Sequence, residues 1–122
     1  MLRTLLAATF LGALTLAVPA SGTPGLPELT AKVTAGSISL TDKDGQRVTR
    51  LAPNYYRFVV KDLSRGQNFH LIGPSVDKRT KVSAKVTRIW TVYLKPGTYT
   101  YRSDRRATMS RTFTVRPGPP PA

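Results

Sequence analysis

The chain has 122 residues, no cysteine, one histidine and a formal net charge of +13. This length holds one domain. The absence of cysteine excludes disulfides, thiolate metal ligands and thiol nucleophiles. With 19 Lys and Arg against 6 Asp and Glu, the long-range field favours anionic partners.

The chain opens with Arg3, an apolar stretch from Leu5 to Val18, and small residues at Val18-Pro19-Ala20. This pattern predicts a secretory signal peptide over residues 1–20. The apolar run, roughly 14 residues, is shorter than the ~20 needed to cross a bilayer. No membrane span is expected, and no cysteine follows that could carry a lipid anchor. Arg3 is the one charged residue of this segment, so 18 basic residues face 6 acidic ones in the remainder, a net +12. A secreted or periplasmic location follows. Partners of matching charge there are an anionic envelope polymer, lipid head groups or an acidic protein. Nucleic acid fits the charge but not the compartment, and a solvated basic surface with no partner accounts for the charge as well.

Residues 21–29 are rich in Pro, Gly and Ser and read as a flexible lead-in. The domain is expected over 30–116, followed by a Pro-rich disordered tail at 117–122, where missing N–H groups prevent sheet pairing. Between these lie short strand signals. Ala31 to Thr34 and Ser37 to Thr41 are candidate strands, followed by the turn residues Asp42-Lys43-Asp44-Gly45. Tyr55 to Lys61 alternates, with Tyr56, Phe58 and Val60 on one face and Arg57 and Lys61 on the other. Asn68 to Ile72 ends at Gly73-Pro74. Ile89 to Leu94 places Trp90, Val92 and Leu94 on one face, and Arg88 either precedes that strand or snorkels to water. Thr98 to Ser103 turns Tyr99 and Tyr101 inward and Arg102 outward. Thr112 to Val115 closes the domain with Phe113 and Val115 inward. This period-two pattern, punctuated by turns, predicts an all-β sandwich or barrel.

Two stretches match position for position: Leu51-Ala52-Pro53-Asn54-Tyr55-Tyr56-Arg57-Phe58 and Leu94-Lys95-Pro96-Gly97-Thr98-Tyr99-Thr100-Tyr101. Each is a Pro-cornered turn launching a strand with alternate aromatics. Two copies are too few for a repeat array and read as similar strand starts within one sandwich.

Residues 56–64, the run Asn68-Phe69-His70-Leu71-Ile72-Gly73-Pro74, and the stretch from Trp90 to Tyr101 together resemble secreted bacterial cupredoxins, the plastocyanin- and azurin-like blue copper domains. The likeness runs from about Leu51 to Val115, and residues 29–45 fit more loosely. It implies a Greek-key β-sandwich of seven to eight strands. The family pattern aromatic–x–Cys–Asp–Pro–His–x–x–Met, followed by a Phe–Thr–Val strand, falls here on Tyr101 to Val115. Blue copper needs two imidazoles, a thiolate and a weak axial Met. The resemblance puts the first His at Gln67, the Cys at Ser103, the second His at Arg106 and the axial Met at Met109. Three strong ligands are therefore replaced, one of them by a guanidinium that has no lone pair to offer and keeps its charge. With Arg102 and Arg105 adjacent in sequence, the position repels cations. Two like charges ~4 Å apart cost on the order of 4 kcal/mol at an effective dielectric near 20.

His70 is read as a structural, hydrogen-bonded histidine, since the family often carries a non-ligand His there and metal sites need several ligands. A Ser103/His70/Asp104 triad can be written, but no spacing supports it. The basic residues form two groups: Lys78, Arg79, Lys81, Lys85 and Arg88, then Arg102, Arg105, Arg106 and Arg111. The second group surrounds the former ligand loop, and Arg forks suit carboxylate or phosphate.

The expectation is a secreted, copper-free, non-enzymatic, monomeric cupredoxin-like domain without a cofactor. It would bind an anionic surface or acidic partner through Arg102, Arg105, Arg106 and Arg111. The alternatives are a copper-binding electron-transfer protein and a structural accessory domain.

Overall fold

The computed structural model describes residues 25–118. The predicted signal peptide and residues 119–122 of the predicted tail lie outside the described residues. Nine strands form: β1 (Glu28–Val33), β2 (Ile38–Thr41), β3 (Arg50–Leu51), β4 (Asn54–Asp62), β5 (His70–Gly73), β6 (Val76–Arg79), β7 (Thr87–Leu94), β8 (Gly97–Ser103) and β9 (Arg106–Val115). They build a four-stranded sheet ordered β2-β1-β4-β7 and a five-stranded sheet ordered β3-β9-β8-β5-β6. Two pairings are parallel, β1 with β4 and β3 with β9. The strands of each sheet are therefore joined by crossings between sheets as well as by hairpins, as a Greek-key sandwich requires.

Alternation decides which side chains meet. Leu29, Ala31 and Val33 of β1, Phe58 and Val60 of β4, and Val92 and Leu94 of β7 face Leu71, Tyr99, Tyr101, Phe113 and Val115 across the interior, all buried. A line of rings runs through it. Trp90 lies 6.1 Å from Phe69, Phe69 stacks on Tyr101 at 5.6 Å, Tyr101 lies 6.2 Å from Phe113, and Phe113 stacks on Tyr99 at 5.3 Å. Offset ring pairs add roughly 0.5–1.5 kcal/mol each beyond their burial, which helps a small domain with no disulfide.

The matched stretches have a common structural role. Tyr56 donates its hydroxyl to the Ala52 carbonyl at 2.7 Å, and Tyr99 donates to the Lys95 carbonyl at 2.8 Å. Each is a tyrosine corner that ties a strand to the turn four residues upstream.

The expected all-β sandwich forms, with nine strands against about seven to eight expected. Several finer expectations are corrected. The first strand begins at Glu28, inside the segment expected to be flexible, because Leu29 is already a core residue. β3 and β6 gave no signal: β3 is two residues long, and Asp77-Lys78-Arg79 of β6 is exposed on an edge. β7 includes Arg88, which is exposed. β9 starts at Arg106, not Thr112, because a register shift between Arg102 and Ser103 absorbs the extra residues of the hairpin.

Gly73 allows the tightest approach in the sandwich. A Cβ there would land inside the Tyr99 ring. Gly73→Ala is expected to lower stability by about 3 kcal/mol through overpacking, measured by urea denaturation. Gly36→Ala, with open space around its Cβ, serves as the control and should change it by less than about 0.5 kcal/mol.

Candidate functional site

The β8–β9 hairpin turns through Asp104 and Arg105, with Ser103 paired opposite Arg106. Ser103 is buried. Its hydroxyl donates to Gln67 Oε1 at 2.5 Å and accepts from the backbone N–H groups of Asn68 at 3.4 Å and Arg105 at 3.3 Å. Gln67 Nε2 in turn donates to the Ala35 carbonyl at 3.4 Å. Met109 is buried and adjoins the same 35–38 connection through Gly36, Ser37 and Ile38. The four positions that the resemblance assigns to copper thus gather at one end of the sandwich. The donor set does not fit copper. The Ser103 proton is held by Gln67, the amide oxygen is used as its acceptor, and Arg106 is an exposed cation. Among the described residues no cluster of three or more His, Cys, Asp or Glu side chains could hold a metal ion.

A second network lies against this end, on the outer face of the five-stranded sheet. Register places His70 opposite both Arg79 and Arg102. Asp104 reaches over them from the hairpin turn. His70 Nδ1 lies 2.7 Å from Asp104 Oδ1, and Nε2 lies 2.6 Å from Asp77 Oδ1. The two ring nitrogens point in different directions, so the carboxylates cannot converge on one ion. A neutral imidazole donates from only one nitrogen, so only the doubly protonated ring can donate to both acids. The same occupancy excludes a Ser103/His70/Asp104 triad: His70 does bond Asp104, but its other nitrogen is held by Asp77, and Ser103 turns to Gln67.

Asp104 is the hub. Its backbone N–H donates to Asn68 Oδ1 at 2.7 Å, and Asn68 Nδ2 donates both to Asp104 Oδ2 at 2.9 Å and to the Thr80 carbonyl at 3.0 Å. Arg79 and Arg102 stand 3.5 and 3.6 Å from its oxygens. Beneath it, Thr80 Oγ1 accepts from the Phe69 N–H at 3.0 Å and donates to buried Asp62 at 2.8 Å. Asp62 also accepts from the Ser64 N–H. Burial pushes the Asp62 carboxyl up, and its bonds from Thr80 and Ser64 only partly offset this. These bonds fix the 79–83 segment beside the hairpin turn. Between them opens a groove of about 450 Å³ whose lining includes Asn68, Arg79, Lys81, Ser83 and Arg105.

The structure brings some of the predicted anion-binding residues together and separates others. Arg102 is on the outer face, facing Asp104, and Arg105 lines the groove. Arg106 is exposed across from Ser103. Arg111 is opposite Tyr101, on the inward-facing side of the sheet, so it does not share a face with Arg102. Arg79 and Lys81, which the sequence assigns to a separate basic group, join Arg105. His70–Asp77 was missed as a pair, since the hairpin that creates it requires β6.

For Asp104, burial opposes ionisation, but hydrogen bonds from His70 and Asn68, the His70 charge and the Arg79 contact outweigh it and hold the carboxyl below its ordinary value. A depressed acid stabilises the fold above its unfolded-state pKa, about 3.9, and that contribution is lost as pH falls through the folded value. Asp104→Asn should therefore cost roughly 1–3 kcal/mol at neutral pH. The gap to the parent protein should close as pH falls below about 4. Denaturant titrations of both proteins from pH 7 to pH 2 check the sign, and a gap that widened in acid would contradict it.

No family model matches the chain, and no curated protein matches it. Among solved structures, reduced rusticyanin aligns with a TM-score of 0.51 and 18% identity, over 73% of this chain and 78% of that one. A Cu-containing nitrite reductase from Thermus scotoductus SA-01 aligns with a TM-score of 0.52 and 18% identity, over 84% of this chain and 25% of the reductase chain. Identity this low carries the fold and no activity. Strand order and aligned neighbours agree: this chain has the cupredoxin-like fold, and the four positions that the resemblance assigns to copper lie together at one end of it.

Proposed function

We propose that the protein is an exported, copper-free, non-enzymatic domain that docks on an anionic partner through the basic end of the sandwich. That partner is an envelope polymer, a lipid head-group surface or an acidic protein. The observation that carries this reading is the groove where Arg79, Lys81 and Arg105 converge beside Asn68, at the end where the ligand positions are filled by a closed Ser103–Gln67 hydrogen bond. Arg102 and Arg106 extend the positive surface around the hairpin. Asp104 also lines the groove and pairs with Arg79 at 3.5 Å, whereas Lys81 and Arg105 have no carboxylate within ion-pair distance among the described residues. Export rests on the N-terminal apolar segment. No helix of the described residues is long and apolar enough to cross a membrane.

Vesicles containing phosphatidylglycerol and a soluble polyglutamate, each at low salt, test the docking. Binding to at least one is expected, weakening steadily with added salt because the contacts are between exposed charges. Replacing Arg79, Lys81 and Arg105 together by Ala should weaken vesicle binding by about 100-fold, at roughly 1 kcal/mol per basic residue near an anionic surface. Binding to neither probe, or binding indifferent to salt, would overturn the proposal. A copper titration of the purified protein addresses the electron-transfer alternative. No intense thiolate-to-copper visible band is expected, and a stoichiometric one would refute the copper-free reading.

A further inference from the structure

Three tyrosines are buried in the sandwich, and two have their hydroxyls bonded to backbone carbonyls in the corners described above. The third is different. Tyr101 is fully buried, and its hydroxyl is the one buried side-chain polar atom without a hydrogen-bond partner among the described residues. The Leu40 backbone is near enough to pull the phenol down, but it does not meet hydrogen-bond geometry. Leaving such a group unpaired is unfavourable, and Phe would fill the same aromatic stack without that cost.

The register shows what the hydroxyl meets. Along β8 and β9 the inward-facing pairs are Tyr99 with Phe113 and then Tyr101 with Arg111. A guanidinium thus stands where the core pattern calls for an apolar side chain. It can do so because β9 pairs with β3 only at Thr114 and Val115, which leaves the sheet edge open beside Arg111. Arg47 approaches the same opening from the β2–β3 connection, held by its bridge to Thr41 and by buried Val48. The result is a notch of about 300 Å³ lined by Arg47, Thr49, Tyr101, Ser110, Arg111 and Thr112. No carboxylate lines it. Burial pushes the Tyr101 phenol up, more than the charges of Arg111 and Arg47 pull it down, so it stays an O–H donor at neutral pH.

Two guanidiniums and a buried phenol border one space with nothing negative in it. A carboxylate offers two oxygens to such an array, whereas a tetrahedral oxyanion offers three or four. We infer that this notch is a binding site for a phosphate-type oxyanion, with Tyr101 donating the buried hydrogen bond and Arg47 and Arg111 balancing the charge. The site shares no residue with the Arg79–Arg105 groove and does not depend on docking there. Free phosphate, a phosphorylated head group and a phosphodiester polymer all present this chemistry.

Thermal denaturation and amide chemical shifts of the purified protein, titrated with inorganic phosphate while chloride holds the ionic strength constant, test it. Saturable stabilisation is expected, since a ligand that binds only the folded state raises its stability. Tyr101→Phe keeps the ring and should be at least as stable as the parent in phosphate-free buffer. Its phosphate affinity should fall about tenfold or more, as should that of Arg111→Gln. Arg57→Gln, an exposed charge on β4 of the other sheet, should leave the affinity unchanged. Absence of saturation, equal affinity in Tyr101→Phe, or equal loss in Arg57→Gln would each overturn the assignment. Glycerol phosphate and phosphatidylglycerol vesicles then separate the sources. A Tyr101-dependent response to the soluble anions alone marks a free ligand, and one that extends to vesicles marks a head group.

Discussion

The hydrogen bonds between Asn68 and the hairpin turn at Asp104 hold the ligand end of this sandwich together. Three segments meet there: the run before β5, the 79–83 segment after β6, and the β8–β9 turn. In a blue copper domain an ion bonded to residues from separated loops would tie such segments. Here one amide side chain does so, with its oxygen on the Asp104 N–H and its nitrogen shared between the Asp104 carboxylate and the Thr80 carbonyl. The bond to the Asp104 carboxylate is charge-assisted, a type about twice as strong as neutral bonds. Ser103 and Gln67 complete the closure from the interior side.

This arrangement also decides where the positive charge is felt. Of the 6 acids, Asp62 is buried on Thr80 and Ser64, Asp77 and Asp104 hold His70, and Asp42 accepts from the backbone N–H groups of its own turn. Among the described Lys and Arg residues, only Lys43, Arg79 and Arg102 have a carboxylate within ion-pair distance. The acids therefore serve internal geometry, and most of the basic residues keep their field in solvent. Self-repulsion of that size opposes compactness, and the aromatic line and the two tyrosine corners counter it.

The core was legible in the sequence because alternation is a direct readout of which side of a sheet is buried. Tyr56, Phe58, Val60, Tyr99, Tyr101, Phe113 and Val115 all face inward as their spacing requires. The matched Pro-cornered stretches were visible as equivalent turns, although spacing alone does not show that Tyr56 and Tyr99 bond back to them. Edge structure was not legible. β6 carries Asp77, Lys78 and Arg79 in succession, since an edge strand has less apolar surface to cover, and so it lacks an alternating signal. The Arg106–Arg111 stretch failed for another reason. The register shift after Arg102 changes the phase of the alternation, and its place in the chain is set by pairing across the hairpin. Plain alternation in the ladder before that shift, with Arg102 opposite Ser110 and Arg111 opposite Tyr101, puts Arg102 and Arg111 on opposite faces, although the mostly polar sequence suggests one continuous basic patch.

The two open edges of the sandwich are finished with different chemistry. On the β6–β7 side, Lys78 lies over Trp90 with its ammonium 5.9 Å from the ring centroid. Its alkyl stem can cover the ring while the charge remains in water, a closure that needs no other partner. On the β2–β3 side, the equivalent gap is bordered by Arg47 and Arg111 above a phenol with no partner among the described residues. Packing accounts for the first edge, since an aromatic face and a cation satisfy each other. It does not account for the second, where like charges adjoin a donor that has no hydrogen-bond partner among the described residues. An edge built only for stability would put a Phe at 101 and an apolar or neutral residue at 111. The residues present instead keep the core short of full hydrogen-bond satisfaction at one defined point, buried beneath the Arg47–Arg111 notch.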